Sequence, residues 1–149
     1  IVFFSVAFAI LSIIDLSKFI LFAILLGCVA SDLGGYIFGK TFKGSKLTKI
    51  SPKKTISGAI GSLILTTIVV SGLIFYISNN LNIKIIAISI FISIACQTGD
   101  LFFSYLKRKA KLKDTGNFLP GHGGVLDRLD GIFVGVPAGY ISLIIIYNL

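Results

Sequence analysis

The chain has no methionine, tryptophan or glutamate, a single histidine, two cysteines and three prolines among its 149 residues, and only 13% of it is charged. Each scarcity excludes something. With 55% of the chain hydrophobic, so few charges cannot cover an ordinary soluble domain, and the composition is that of a membrane protein. No Cys or His cluster offers zinc-ligand spacing, and Cys28 and Cys96 sit in apolar runs where a buried, inert thiol is expected. The missing start residue, with an opening inside the apolar run Ile1 to Ile14, predicts the C-terminal part of a longer chain rather than a secretory leader.

What charge there is lies in two places. Lysines 40, 43, 46, 49, 53 and 54 occupy one loop, while Lys107, Arg108, Lys109, Lys111, Lys113 and Arg128 occupy another, leaving only Lys18 and Lys84 elsewhere. The net charge of +8 therefore reads as a topology signal rather than a nucleic-acid footprint, and no nucleic-acid partner is expected.

A helix needs about 20 apolar residues to cross about 30 Å of hydrocarbon. Runs near that length predict a single all-α membrane domain, a polytopic helical bundle with spans at 1–14 (truncated), 19–38, 56–77, 85–106 and 131–149. The connectors are DLSK, the loop 39–55, the turn SNNLN and the segment 107–130. Alternation puts both basic loops on one face, which the positive-inside bias makes cytoplasmic. An integral protein of the cell (inner) membrane with its active site facing the cytoplasm follows as the expectation.

Two spans contain an aspartate, although a mid-bilayer charge costs about 2.5 to 3.5 kcal/mol. At 1.5 Å per residue, Asp32 and Asp100 lie roughly 20 and 22 Å in from the outer ends of their spans, close to one level near the cytoplasmic boundary. They either line a shared polar cavity or snorkel singly to water. Asp127 and Asp130 share a face if the stretch entering the last span is helical, and Gln97, Asp100 and Ser104 share one on the preceding span. Hard oxygen donors among lysines and arginines suit Mg²⁺ beside phosphate rather than zinc. The glycines of PGHGG allow close backbone approach to a ligand.

The segment SYLKRKAKLKDTGNFLPGHGGVLDRLD resembles the signature of the phosphatidate cytidylyltransferases (CDP-diacylglycerol synthases) through Ser104, Lys107, Arg108, Lys113, Asp114, Pro120, His122, Gly123, Gly124, Asp127, Arg128 and Asp130. SDLGGYIFGK and SPKKTISG are similar to an earlier block of that family, with Ile56 where Trp is common. The resemblance runs from about Ala30 to the C-terminus. It implies CTP and phosphatidate as substrates in a lipid bilayer, and CDP-diacylglycerol and pyrophosphate as products. It points to Mg²⁺ with K⁺ as a candidate second metal, and a homodimer is a candidate assembly. Asp100 and Asp127 are the expected metal ligands, with Asp130 and Asp114 expected to support them. Asp100, Lys107, Arg108, Lys113, Asp114, His122, Asp127, Arg128 and Asp130 are the expected catalytic set, with Asp32, Ser51, Lys53, Lys54, Thr55 and Ser104 expected to bind substrate.

Alternatives are a CTP-dependent enzyme acting on another lipid (an ether-lipid cytidylyltransferase, a polyprenol or phytol kinase) and a cation transporter lined by Asp32 and Asp100. A CDP-alcohol phosphatidyltransferase is excluded because its D-G-x-x-A-R element is missing. The string Gly34 to Thr41 fits G-x-x-x-x-G-K-[ST], but it ends a span instead of linking a strand to a helix, so it is no P-loop.

Overall fold

A computed structural model describes residues 15–48, 51, 54–112 and 126–147, with isolated positions 2, 5, 6 and 9 before them. Four long helices account for most of these: α1 (Asp15–Phe42), α2 (Ile56–Ser78), α3 (Ile83–Lys109) and α4 (Leu126–Tyr147). All four are long and apolar enough to cross a membrane, and the chain is an integral helical bundle.

Local chemistry sets the helix ends. Thr55, in extended conformation, caps α2 by accepting the Gly58 N–H at 3.1 Å, and Asn79 ends that helix in the left-handed region at φ 50°. Three residues later Asn82 accepts the Lys84 N–H at 3.2 Å and starts α3, so α2 and α3 are antiparallel neighbours across a tight turn. Lys107, Arg108 and Lys109 occupy the last turn of α3, where cations complement the carbonyl end of the helix dipole.

Several helices outrun the apolar stretches. DLSK, expected as a connector, forms the first turn of α1, and α1 continues past Phe38 to Phe42. Likewise α3 runs on to Lys109, and α4 begins at Leu126 within the segment expected as a loop up to residue 130. Hydropathy ends where charge begins. A helix does not have to, because its backbone hydrogen bonds are internal and its charged side chains can reach water.

α1 packs most extensively on α2 and α3 on α4, with α2 against α3 joining the pairs. Where α1 crosses α2, a Cβ on Gly34 would lie 2.6 Å from the Gly61 carbonyl oxygen, so only glycine lets the backbones meet there. Ile24, Cys28, Val70, Ile88, Ile92, Cys96 and Val136 form the buried centre. The two thiols, expected to be buried, lie in contact at 2.9 Å. Large apolar side chains such as Phe22, Leu33, Ile68, Phe91 and Ile145 face outward, as suits a protein whose solvent is lipid.

Buried hydroxyls tie the helices together. Ser62 donates to the Ser31 carbonyl at 2.6 Å, Thr66 donates to the Gly27 carbonyl at 3.3 Å, and the Ser31 and Ser93 hydroxyls meet at 3.4 Å. Among the described residues no buried side-chain polar atom lacks a partner, which hydrocarbon surroundings demand.

Candidate active site

The C-terminal part of α1, the N-terminus of α2, the second half of α3 and the start of α4 share one end of the bundle. There the chain between α1 and α2 folds back on itself. Lys46 and Thr55 form an isolated antiparallel bridge, the Leu47 N–H donates to the Lys54 carbonyl at 2.8 Å, and the Ile56 N–H donates to the Ser45 carbonyl at 3.0 Å. This clamp delivers Lys54 to the mouth of a cavity of about 190 Å³. Asp32, Tyr36, Lys54, Thr55, Gln97 and Asp100 are among its lining residues. A larger groove of about 510 Å³ at the opposite end has Phe19, Ile77, Ile85 and Leu143 in its walls and, among the described residues, no titratable side chain, so the smaller cavity is the candidate for chemistry.

Asp100 is the centre of the cavity's electrostatics. Lys54 Nζ donates to its Oδ2 at 2.8 Å, linking the loop to α3. Its other oxygen faces α4: a Cβ on Gly131 would lie 3.0 Å from Asp100 Oδ1, so this glycine makes room for the carboxylate. The next residue back on α4 is Asp130, whose carboxyl group lies beside that of Asp100. Asp130 also accepts the Gly131 N–H at Oδ1, 3.0 Å, and Lys107 Nζ at Oδ2, 3.4 Å. Lys107 lies two turns beyond Asp100 on α3, hence on the same side of the helix.

The result is a row of Lys54, Asp100, Asp130 and Lys107, in which two ammonium groups flank two carboxyl groups drawn from different helices. Two carboxylates this close repel unless positive charge or a proton lies between them. Such a pair of hard-oxygen carboxylates, with Asp100 on the cavity wall, is of the chemistry that suits a divalent cation like Mg²⁺. Among the described residues no group of three or more His, Cys, Asp or Glu side chains is placed to hold a metal ion. Mg²⁺ tolerates that, since it keeps several waters and takes the rest of its shell from one or two carboxylates and substrate phosphates.

Residues 1–146 match the cytidylyltransferase family. The chain belongs to that family. It is similar to the phosphatidate cytidylyltransferase of Rickettsia felis, 44% identical over 121 aligned residues, with 71% of this chain and 50% of that protein covered. It also resembles the enzymes of that name from Staphylococcus haemolyticus, 46% identical over 116 residues (76% of this chain, 45% of that protein), and Staphylococcus aureus, 41% over 128 residues (85% and 49%). The chain spans about half the length of these curated relatives.

In this cytidylyltransferase-family chain, the structure brings together Asp32, Lys54, Thr55, Asp100, Lys107 and Asp130 of the residues expected from sequence. Thr55 lines the cavity, but its hydroxyl is committed to capping α2 and to Ser57 Oγ at 3.1 Å. Ser51 is half-buried and serves the loop instead, accepting the Lys54 N–H on its carbonyl at 3.0 Å. Ser104 is half-buried on α3 outside the cavity lining, and Arg108 is exposed at the end of that helix. Lys53, Lys113, Asp114 and His122 lie outside the described residues. Asp127 and Arg128 fall in the first turn of α4, with side chains outside the described ones.

Gln97, marked in the sequence only for sharing a face with Asp100 and Ser104, and Tyr36 are added to the cavity wall by the structure. Gln97 Nε2 donates to the Ala59 carbonyl at 3.2 Å and to Ser93 Oγ at 3.3 Å, pinning α3 to α2 at the cavity wall. The signal was present, since Gln97 is an amide inside a span one turn before Asp100. Tyr36 falls within SDLGGYIFGK, where the resemblance gave it no role of its own.

Proposed function

We propose that the protein transfers the cytidylyl group of CTP to phosphatidate, giving CDP-diacylglycerol and pyrophosphate. A phosphatidate phosphate oxygen forms a bond to the CTP α-phosphorus, the bond from that phosphorus to the β-phosphate oxygen breaks, and pyrophosphate leaves. The phosphatidate phosphate is already ionised at neutral pH, so no strong base is needed. The obstacle is repulsion between an anion and a polyanion, and it is met by positioning and charge neutralisation.

The observation that carries this reading is the meeting of Asp100 and Asp130 between Lys54 and Lys107 beside a polar cavity. Asp100 and Asp130 would hold Mg²⁺, and Asp127, three residues before Asp130 on the same helix, would be a further ligand. When bound, the ion supplies Lewis-acid stabilisation of charge on the phosphate oxygens. Lys54 and the N-terminal end of α2 face the same cavity and suit an anionic nucleotide. Lys107 at the end of α3 suits the lipid phosphate arriving from the leaflet.

The positive-inside bias supports a cytoplasmic site, where CTP is made available, and the bacterial relatives support the inner membrane. The names of the relatives favour phosphatidate over other lipids. The protein, reconstituted in vesicles with CTP and Mg²⁺, should release pyrophosphate when phosphatidate is supplied. Turnover with a polyprenol or another free alcohol, and none with phosphatidate, would reject the reading in favour of a CTP-dependent kinase.

A further inference from the structure

Lys54 and a divalent cation compete for one carboxylate. The ammonium group lies 2.8 Å from Asp100 Oδ2, on the carboxylate whose other oxygen is turned to α4 and Asp130. Both partners are largely shielded, with side-chain exposures of 29% and 19%, so the pair is stronger than a surface ion pair. The contact is also set by the fold. Lys54 is held through its backbone carbonyl and N–H by the clamp to Leu47 and Ser51, so its side chain reaches Asp100 from a fixed anchor.

We infer that Lys54 is a built-in counter-ion for Asp100, which holds the cation position while the site is without nucleotide and moves onto a nucleotide phosphate when the metal–nucleotide complex enters. The inference rests on the reading that Asp100 holds a divalent cation. Charge balance dictates the exchange. A cation arriving alone must displace the ammonium group and leave it without an anion, which disfavours binding. A nucleoside triphosphate arriving alone brings its anionic oxygens toward Asp100 and Asp130. Arriving together, the metal takes the carboxylates and the phosphates take the lysine, so every charge finds a new partner. Metal and nucleotide therefore bind with positive coupling, and by linkage each strengthens the other equally. Lys54 keeps metal affinity low until substrate is present.

The test is a nucleotide-free titration of the membrane-reconstituted protein with Mn²⁺, a hard-ligand stand-in for Mg²⁺, followed by electron paramagnetic resonance. Removing the competing charge in Lys54→Met should tighten Mn²⁺ binding by about tenfold, the range expected when one close, shielded charge is lost. Lys54→Gln guards against a folding defect and should behave in the same way. Lys54→Arg keeps the charge and should stay near the native affinity. A lysine that merely braces the loop gives unchanged or weaker Mn²⁺ binding in both neutral variants, and that result overturns the exchange. Asp100→Asn separates the two levels. If it weakens Mn²⁺ binding while the Lys54 variants match the native protein, the metal site stands and the exchange fails. If no variant shows Asp100-dependent Mn²⁺ binding, the metal reading fails and takes the exchange with it.

Discussion

Lys54 and Asp100 are 46 positions apart in sequence, yet their side chains meet at 2.8 Å. The contact closes the loop between α1 and α2 onto the middle helices, and it makes the polar end of the bundle one electrostatic unit rather than two basic loops beside a membrane. The behaviour of that unit under substitution follows from its parts.

Asp100→Asn and Asp130→Asn each remove one carboxylate while keeping the shape. Each should lower Mg²⁺-dependent pyrophosphate release by about 10²- to 10³-fold, the usual cost of deleting one preorganised electrostatic group. Activity within a few fold of native at saturating Mg²⁺ would remove that residue from the metal shell.

Gly131→Ala should act through its neighbour. The new methyl group would stand 3.0 Å from Asp100 Oδ1, so the carboxylate must turn away from α4. Activity should fall by about tenfold or more with thermal stability little changed, because a misplaced catalytic group costs rate steeply while one strained contact costs little folding energy. A loss of stability that parallels the loss of activity would make Gly131 a packing residue only.

Gly34→Ala should do the reverse. Its Cβ would meet backbone, the Gly61 carbonyl oxygen at 2.6 Å, and backbone cannot rotate aside. The α1–α2 crossing must open, at about 1 to 3 kcal/mol of stability. A detergent-solubilised thermal melt reads this directly, and an unchanged melting temperature would show that the crossing is looser than described.

Lys84→Gln is the control. Lys84 is sixteen residues before Asp100 on α3, about 24 Å along the axis at the other end of the bundle. Turnover should stay within about twofold of native, as for substitutions at exposed positions. A large loss would mean that the site extends far beyond the cavity described above.

The apolar runs foretold the long helices because hydrocarbon thickness sets their length, and the two intramembrane aspartates stood out because their burial needs a reason. Asp32 and Asp100 do line one cavity. Hidden in the sequence was which lysine would meet which aspartate, since this depends on how closely helices cross. Gly131 and Gly34 govern those crossings, and as letters they look like any other glycine in a membrane helix. The helix ends were not legible for a related reason: charge marks where the apolar run stops, and α1 and α3 run on past that point. Asp127, expected beside Asp100 on one ion, enters the account only through its place in the first turn of α4.

The central claim is that carboxylates from α3 and α4 share one divalent cation. Crystals soaked with Mn²⁺ and measured at its absorption edge test it directly. The account predicts one anomalous peak within about 2.0 to 2.3 Å of oxygens from both Asp100 and Asp130. A peak on only one of them, or elsewhere in the protein, would contradict it.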